Sequence, residues 1–549
     1  MIQNPILPGF NADPCICRKG DDFFLAVSSF EWFPCIPIYH SRDLKHWELY
    51  SHVITDECQA DLRGLPSAKG VWAPCLTYCE AEDTFYAVYG IMHSMNARYF
   101  DVDNYLVSAK DPRGPWSTPV YLHSSGFDAS LFHDDDGRKY VVALDWETRD
   151  GYCKPGDICM AEYDPKKGHI MGTPRRIWHG ATQRGCMEGP HLTKHNGMYY
   201  LMCAEGGTGY GHCVTMARSG NPWGPYQADP NGVLLTSQPE DFDAHLETDH
   251  LKPRFYNPLL LLQKAGHGSY VDTPSGETYM VFHCSRPMRP ILAEQPSLRC
   301  VLGRETAIVR MRWTTDGWLR TVNGSILAPE QTEESNLPPF APAQLPACDD
   351  FADRRLGIGY YAPRIDAAGF ADTVTRPGWV CLRGQESFCS QNRVSLLARK
   401  LTSLRTTVTT RLDFHPEVYQ QTAGLLVYYD NMNWLLLGKT WSDGLNAPAL
   451  VITHVENGMK RDCLGEGVRV GDEPIHLRIV IQDNEIRLFW CQDGKAFAPI
   501  GGTFETSRFS DEYSRFGEFT GTFIGIGCED RMLKKKCAYF DFLAIESDN

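Results

Sequence analysis

One segment recurs five times in the N-terminal half of the chain, and no other feature constrains the fold as tightly. It is a turn followed by an aromatic strand: Gly20-Asp-Asp-Phe-Phe-Leu-Ala-Val27, Glu82-Asp-Thr-Phe-Tyr-Ala-Val-Tyr89, Gly137-Arg-Lys-Tyr-Val-Val-Ala-Leu144, Gly197-Met-Tyr-Tyr-Leu-Met202 and Gly276-Glu-Thr-Tyr-Met-Val-Phe282. With Phe24, Tyr86, Tyr140, Tyr200 and Tyr279 as equivalents, the spacings are 62, 54, 60 and 79 residues. That is the length of a four-stranded sheet with its loops, so five copies predict a five-bladed β-propeller. A second motif supports the repeat, because Ser108-Ala-Lys-Asp-Pro-Arg-Gly-Pro-Trp116 is echoed by Ala217-Arg-Ser-Gly-Asn-Pro-Trp-Gly-Pro-Tyr226, and more loosely by His40-Ser-Arg-Asp-Leu-Lys-His-Trp47. The competing reading is a β-sandwich with unrelated aromatic strands. The common phase of the five copies favours the propeller, expected over residues 1–326.

Residues 327–347 change texture to a proline-rich, polar stretch and read as a linker. Beyond it, residues 348–549 show alternating strands such as Arg405-Thr-Thr-Val-Thr-Thr-Arg-Leu-Asp-Phe414 and His476-Leu-Arg-Ile-Val-Ile-Gln482, with turns such as Gln492-Asp-Gly494. This predicts a second domain, a β-sandwich. The chain as a whole is therefore expected to be all-β.

Composition narrows the partners. With 53 basic and 68 acidic residues the net charge is −15, which disfavours nucleic acid and anionic membrane. No stretch reaches the roughly 18 apolar residues of a membrane span. The N-terminus lacks the pattern of a secretory signal, so the expectation is a cytoplasmic protein whose twenty cysteines are reduced. No Cys-x-x-Cys pair occurs, and Cys15-x-Cys17 reads as split between two environments, so a cysteine-bound zinc is not expected. His245-Leu-Glu-Thr-Asp-His250 lacks the spacing of a helical zinc motif, and Asp134-Asp-Asp-Gly137 lacks the alternation of a calcium loop. Both read as solvated loops.

Counting back eleven or twelve residues from each repeated aromatic reaches the strand before it, which in a propeller is the innermost of its blade. Asp13, Asp128, Glu188 and His267 stand there in blades one, three, four and five, and Pro74 in blade two. Innermost strands ring the central channel, so the three acids should converge near its mouth. Like charges crowded in a partly dry channel raise one another's pKa, a costly arrangement that hydrolysis of a glycosidic bond can use. Aromatic residues flank these positions: Phe10, Phe30, Trp72, Phe127 and Trp146.

The stretches Asn4-Pro-Ile-Leu-Pro-Gly-Phe-Asn-Ala-Asp13-Pro14, Trp72-Ala-Pro74, Gly126-Phe-Asp128-Ala-Ser-Leu-Phe-His133, Met187-Glu188-Gly-Pro-His-Leu192 and Gly303-Arg304-Glu-Thr306 resemble family 43 glycoside hydrolases, and most closely their two-domain β-xylosidases. The resemblance covers essentially the whole chain. It implies a concanavalin-like C-terminal sandwich and an inverting mechanism, with Asp13 as general base, Glu188 as general acid and Asp128 tuning and orienting the acid. By the same resemblance Arg304 holds sugar hydroxyls, Phe30, Trp72, Phe127, Trp146 and Thr208 line the pocket, and Phe519 of the sandwich closes it. Cys75 follows Trp-Ala-Pro where many relatives carry Asp, so subsites built on that position do not carry over.

His267 has three readings: a calcium ligand, a hydrogen-bonding partner beneath the acids, and a buried structural histidine. No cofactor is required, and calcium at His267 is the metal left open. The leading function is an exo-acting β-xylosidase on xylooligosaccharides with side activity on α-L-arabinofuranosides. A dedicated α-L-arabinofuranosidase and a carbohydrate-binding propeller without catalysis are the alternatives, and a homo-oligomer is left open.

Overall fold

The computed structural model describes residues 1–97, 99–152, 156–239, 256–288, 298–515 and 519–548. The repeats form five antiparallel four-stranded sheets. Their first strands, Cys15–Lys19, Gly70–Cys79, Ser130–His133, Glu188–His195 and Gln263–Asp272, pack side by side and close into a ring. The repeated aromatics lie on the second strands, Asp22–Ala26, Thr84–Asn96, Lys139–Asp145, Met198–Glu205 and Thr278–Ser285. Each of these is covered on both faces by neighbouring blades, and Thr278–Ser285 is buried along its whole length. A strand buried on both faces needs a continuous apolar and aromatic run, which is why the repeat is visible in the sequence.

The stretch 327–347 is tied down rather than free. Gln331–Thr332 pairs with Ile2–Gln3, and the Phe340 and Ala343 amides donate to Asp43 and Glu48 of blade one at 2.9 and 2.6 Å. Asn4 donates to Ile308 and Pro329 carbonyls, and Leu7 bridges to Thr306. The start of the chain and the end of the propeller are thereby sewn to blade five.

The second domain is a sandwich of two antiparallel sheets. Arg405–Asp413 alternates buried and half-exposed residues and pairs with Ile475–Gln482 on one side and Cys537–Ser547 on the other. Its apolar face packs on Gln421–Asp430, Asn433–Ser442 and Phe523–Asp530 of the other sheet, through a core that includes Val408, Leu412, Leu425, Val427, Leu437 and Ile526.

The two domains share a core. Trp32 stacks on Phe523 with ring centroids 3.6 Å apart, and Ala362–Pro363 pairs with Trp32–Phe33. Lys264 of blade five is fully buried against Glu512 at 2.8 Å and Asp511 at 3.4 Å. Tyr210 and the Cys300 amide also donate to Glu512.

One expectation needs revision. Asp134–Gly137 is a hairpin turn, but Asp134 is buried and accepts hydrogen bonds from Lys194 and Tyr199, both at 2.8 Å. Cys15 and Cys17 share a face of their strand, but they do meet different environments, Cys15 in a cluster with Cys75 and Leu131 and half-buried Cys17 against the cluster of Phe24 and Phe85. The stretch His245–His250 lies outside the described residues. All nineteen described cysteines are free, and among the described residues no helix is long and apolar enough to cross a membrane.

Lys264→Ala would strand two buried carboxylates, and removing one partner of a buried ion pair costs about 3–5 kcal/mol. Lys460→Ala, at the exposed pair with Asp462, should cost under about 1 kcal/mol. Urea unfolding followed by tryptophan fluorescence should show a large fall in midpoint for the first and almost none for the second.

Candidate active site

The register of the blades places the site. The repeated aromatics Phe24, Tyr86, Tyr140, Tyr200 and Tyr279 pair with Cys17, Thr77, Phe132, Thr193 and Val271 on the first strands. Four residues before each partner stand Asp13, Ala73, Asp128, Gly189 and His267, and all five have left-handed backbone, with φ of 54°, 36°, 55°, 57° and 50°. Every innermost strand thus has the same kink, at or just before its channel-mouth half. Asp and His tolerate this conformation better than most residues. Glu188 is therefore not in phase with the other acids. It sits one residue earlier, at the position held by Trp72 in blade two and Phe127 in blade three, which is the ring of side chains that walls the pocket.

The expected residues do meet. Asp13, Phe30, Trp72, Phe127, Asp128, Trp146, Glu188, Thr208, His267, Arg304 and Phe519 line one pocket. Met95, Phe100 and Cys186 join them and were not expected. Phe10 lies behind the wall, packed on Phe30 and Phe523. The aromatic lining is self-supporting: Trp146 stacks on Phe100 at 3.9 Å, and Trp72 meets Phe127 and Phe519 edge-on at 5.9 and 5.8 Å.

Phe519 comes from the sandwich, and its approach depends on a contact between two glycines. A Cβ on Gly303 (φ 78°) would lie 2.6 Å from the Thr520 carbonyl oxygen and 2.8 Å from the Gly521 Cα. The backbones therefore touch, and the Phe519 carbonyl accepts from Arg304 Nη2 at 3.2 Å.

The three acids have different surroundings. Asp13 accepts from Ser28 Oγ at 2.7 Å on Oδ2, and from Arg304 Nη1 at 2.7 Å and His283 Nδ1 at 3.1 Å on Oδ1. Burial pushes its carboxyl up, but the Arg304 guanidinium, the His283 bond and nearby His267 outweigh it and hold Asp13 well below the usual carboxylate range. Asp128 accepts one backbone bond, from the Gly189 amide at 3.0 Å. Burial first, then the Asp13 charge, push it up to about 8. Glu188 is raised well above its ordinary value by burial and by the charges of Asp128 and Asp13. The surroundings thus favour the ionised form of Asp13 and the protonated forms of Asp128 and Glu188.

His283 escaped the sequence reading because it lies on the second strand of blade five, outside the ring of innermost strands. Burial pushes it down to about 3, so it is neutral. With its proton on Nδ1 it donates to Asp13, while Nε2 faces His212 Nδ1 at 2.8 Å. Arg304 Nη1 also donates to Thr208 at 2.8 Å, so Thr208 anchors the guanidinium as well as lining the pocket.

His267 Nδ1 is 3.8 Å from Asp13 Oδ1, and Asp13, His267 and His283 bring one donor atom each within 4.8 Å of one another. Calcium takes six to eight oxygen ligands. Here the chain offers two imidazoles and one carboxylate oxygen already occupied by Arg304, which does not make a calcium cage. The arrangement suits His267 as a polar neighbour of Asp13.

The family described as "Glycosyl hydrolases family 43" matches residues 2–319, and "Beta xylosidase C-terminal Concanavalin A-like domain" matches residues 348–546. The chain is 38% identical to "Xylosidase/arabinosidase 43B" of Humicola insolens, covering 98% of this chain and 97% of that protein. It is 37% identical to "Beta-xylosidase" of Bacillus subtilis, covering 96% of each. A solved structure of xylan beta-1,4-xylosidase from Bacillus halodurans superposes with a TM-score of 0.92 at 40% identity over 100% of both chains.

The protonated pair has a consequence for stability. A carboxyl raised in the folded state keeps a proton that the unfolded chain releases near pH 4, so its contribution is present at low pH and is lost as pH rises toward about 8. Asp128→Asn removes that loss while still accepting from the Gly189 amide. The variant should melt above the wild type, with a gap that widens from pH 5 to pH 8. Scanning calorimetry showing the same gap at every pH would mean that Asp128 is ionised in the folded protein.

Proposed function

Because the chain belongs to glycosyl hydrolases family 43, we propose that its pocket removes terminal xylose, with inversion, from short β-1,4-xylooligosaccharides and also accepts α-L-arabinofuranosides. The observation that carries this reading is the split among the three acids. Inverting hydrolysis needs one ionised carboxylate to take a proton from water and one protonated carboxyl to give a proton to the leaving oxygen. In one pocket the surroundings push Asp13 toward its ionised form and Glu188 toward its protonated form.

Water attacks the anomeric carbon as Asp13 takes its proton, and Glu188 protonates the glycosidic oxygen as that bond breaks. Burial holds the Glu188 proton, and Asp128, fixed by the Gly189 amide, adds to that hold whenever it ionises. Arg304 holds Asp13 and reaches sugar hydroxyls. The aromatic walls stack on the apolar faces of a sugar ring, and Phe519 caps the pocket, which supports exo action. Acid and base both come from the chain, so the reaction calls for no cofactor. The relatives' names join xylosidase with arabinosidase, in keeping with a pocket fitted to small pentoses.

Glu188→Ala should slow xylobiose cleavage by about 10²–10⁴-fold and leave dinitrophenyl β-xyloside nearly untouched, since that leaving group needs no proton. Asp13→Ala should slow both. Proton NMR of the first sugar released from a β-xyloside should show α-xylose, and β-xylose there would falsify the roles of Asp13 and Glu188. Parallel assays on p-nitrophenyl β-xyloside and α-L-arabinofuranoside decide the preferred pentose, with the xyloside expected to be faster.

The free state of all nineteen described cysteines supports work in the reducing cytoplasm. Thiol titration of unreduced, denatured protein should count all twenty, and several missing thiols would indicate an oxidising compartment.

A further inference from the structure

Two residues beyond the kinked mouth positions, the five innermost strands present a second layer: Cys15, Cys75, Ser130, His191 and Ser269. Each is in register with the second strand of its blade, opposite Ala26, Val88, Val142, Met202 and Val281. Every member has a side chain that can ligate a metal or accept a hydrogen bond. The Cys15 and Cys75 sulfurs are 3.9 Å apart, the Cys75 sulfur is 4.0 Å from His191 Nδ1, and all three atoms lie within 4.8 Å of one another.

These separations approach the edges of a zinc tetrahedron. Zn–S bonds of about 2.3 Å and Zn–N bonds of about 2.0–2.1 Å put ligand atoms about 3.6–3.8 Å apart. A contraction of a few tenths of an ångström would complete the Cys15–Cys75 and Cys75–His191 edges, and the Cys15–His191 edge, within 4.8 Å, needs at most about 1 Å. Both cysteines are buried, so the sulfurs are held by packing, while half-buried His191 offers a way in. The Cys15 sulfur already accepts from the Leu76 amide at 3.3 Å, the kind of bond that supports a thiolate ligand. Ser269 Oγ stands 3.9 Å from the same sulfur, beside the open fourth position.

We infer that Cys15, Cys75 and His191 form a site for a borderline-soft divalent cation of the zinc class, tying blades one, two and four together one layer beneath the carboxylates. The inference is independent of the proposed hydrolysis. Two thiolates and a neutral imidazole balance the charge of the ion, so binding adds no net charge next to Asp13. It also revises the expectation drawn from the Cys15-x-Cys17 spacing: the second thiol comes from another blade.

Cobalt(II) reports the site, because thiolate ligation gives near-ultraviolet charge-transfer bands and tetrahedral geometry gives strong visible bands. Reduced, anaerobic wild-type protein titrated with cobalt should show both, saturating at one equivalent, bleached by zinc, and accompanied by a higher melting temperature. Cys75→Ser and Cys15→Ser should lose the charge-transfer bands, and Cys17→Ser and Cys463→Ser should keep them. His191→Gln should retain thiolate bands with at least tenfold weaker binding, and it serves as the test if the serine variants do not fold by circular dichroism. Absence of bands in the wild type overturns the site. So do bands that survive in both folded serine variants, or unchanged affinity in His191→Gln.

Discussion

Everything in the pocket follows from one buried cation. Arg304 is the one arginine or lysine among the described lining residues, and it has three acids to serve. A desolvated carboxylate persists only beside a compensating charge, so geometry decides which acid is ionised. Arg304 Nη1 stands 2.7 Å from Asp13 Oδ1, whereas on Asp128 and Glu188 the guanidinium is the smallest of the influences. The result is a base and an acid made from the same chemical group, separated by their distance from one arginine.

The same arginine explains why the second domain matters to chemistry. Its other terminal nitrogen donates to the Phe519 carbonyl of the sandwich, so the guanidinium plane is fixed by both domains at once. That loop can reach it because Gly303 and Gly521 let two backbones touch, and because the ion group of Lys264, Asp511 and Glu512 anchors the preceding segment. A shift of the sandwich would loosen Arg304 and open the pocket at Phe519 together. Burial of the acids and orientation of the base are coupled through the domain interface.

The propeller was legible because a blade is a local unit: each second strand is covered on both faces and advertises itself as an aromatic run. Asp13, Asp128 and His267 were legible for the same reason, since they keep phase with that run. Glu188 was found by a count of twelve residues that overshoots by one, because Thr193 and Tyr200 pair across a hairpin one residue shorter than those of blades three and five, so its true offset showed only in the register. Arg304, Thr208 and Phe519 came from motif resemblance and have no phase to betray them. Met95, Phe100 and His283 had no signal at all, because they enter the site from second or third strands whose pattern records burial alone. Cys75 and His191 were hidden differently. Sequence spacing reads ligands along one strand, whereas a propeller builds its layers from residues about 60 positions apart.

The kink shared by the five inner strands links these observations. A left-handed residue breaks the alternation of the strand and aims its own side chain and that of the preceding residue into the mouth. Outside glycine the conformation costs about 1–3 kcal/mol and persists only where the surroundings enforce it. Asp13 and Asp128 are held by hydrogen bonds and burial, His267 by burial beside Asp13, and Ala73 fits by being small. At Gly189 a Cβ would lie 2.9 Å from His267 Cε1, so no other residue fits without moving that ring. The acid of blade four therefore has to occupy the preceding position, in the row of pocket walls. Glu188 consequently stands in the row of Trp72 and Phe127, out of phase with Asp13 and Asp128; since in-phase Asp128 is raised as well, contact with Arg304 and not the offset separates the base from the acid.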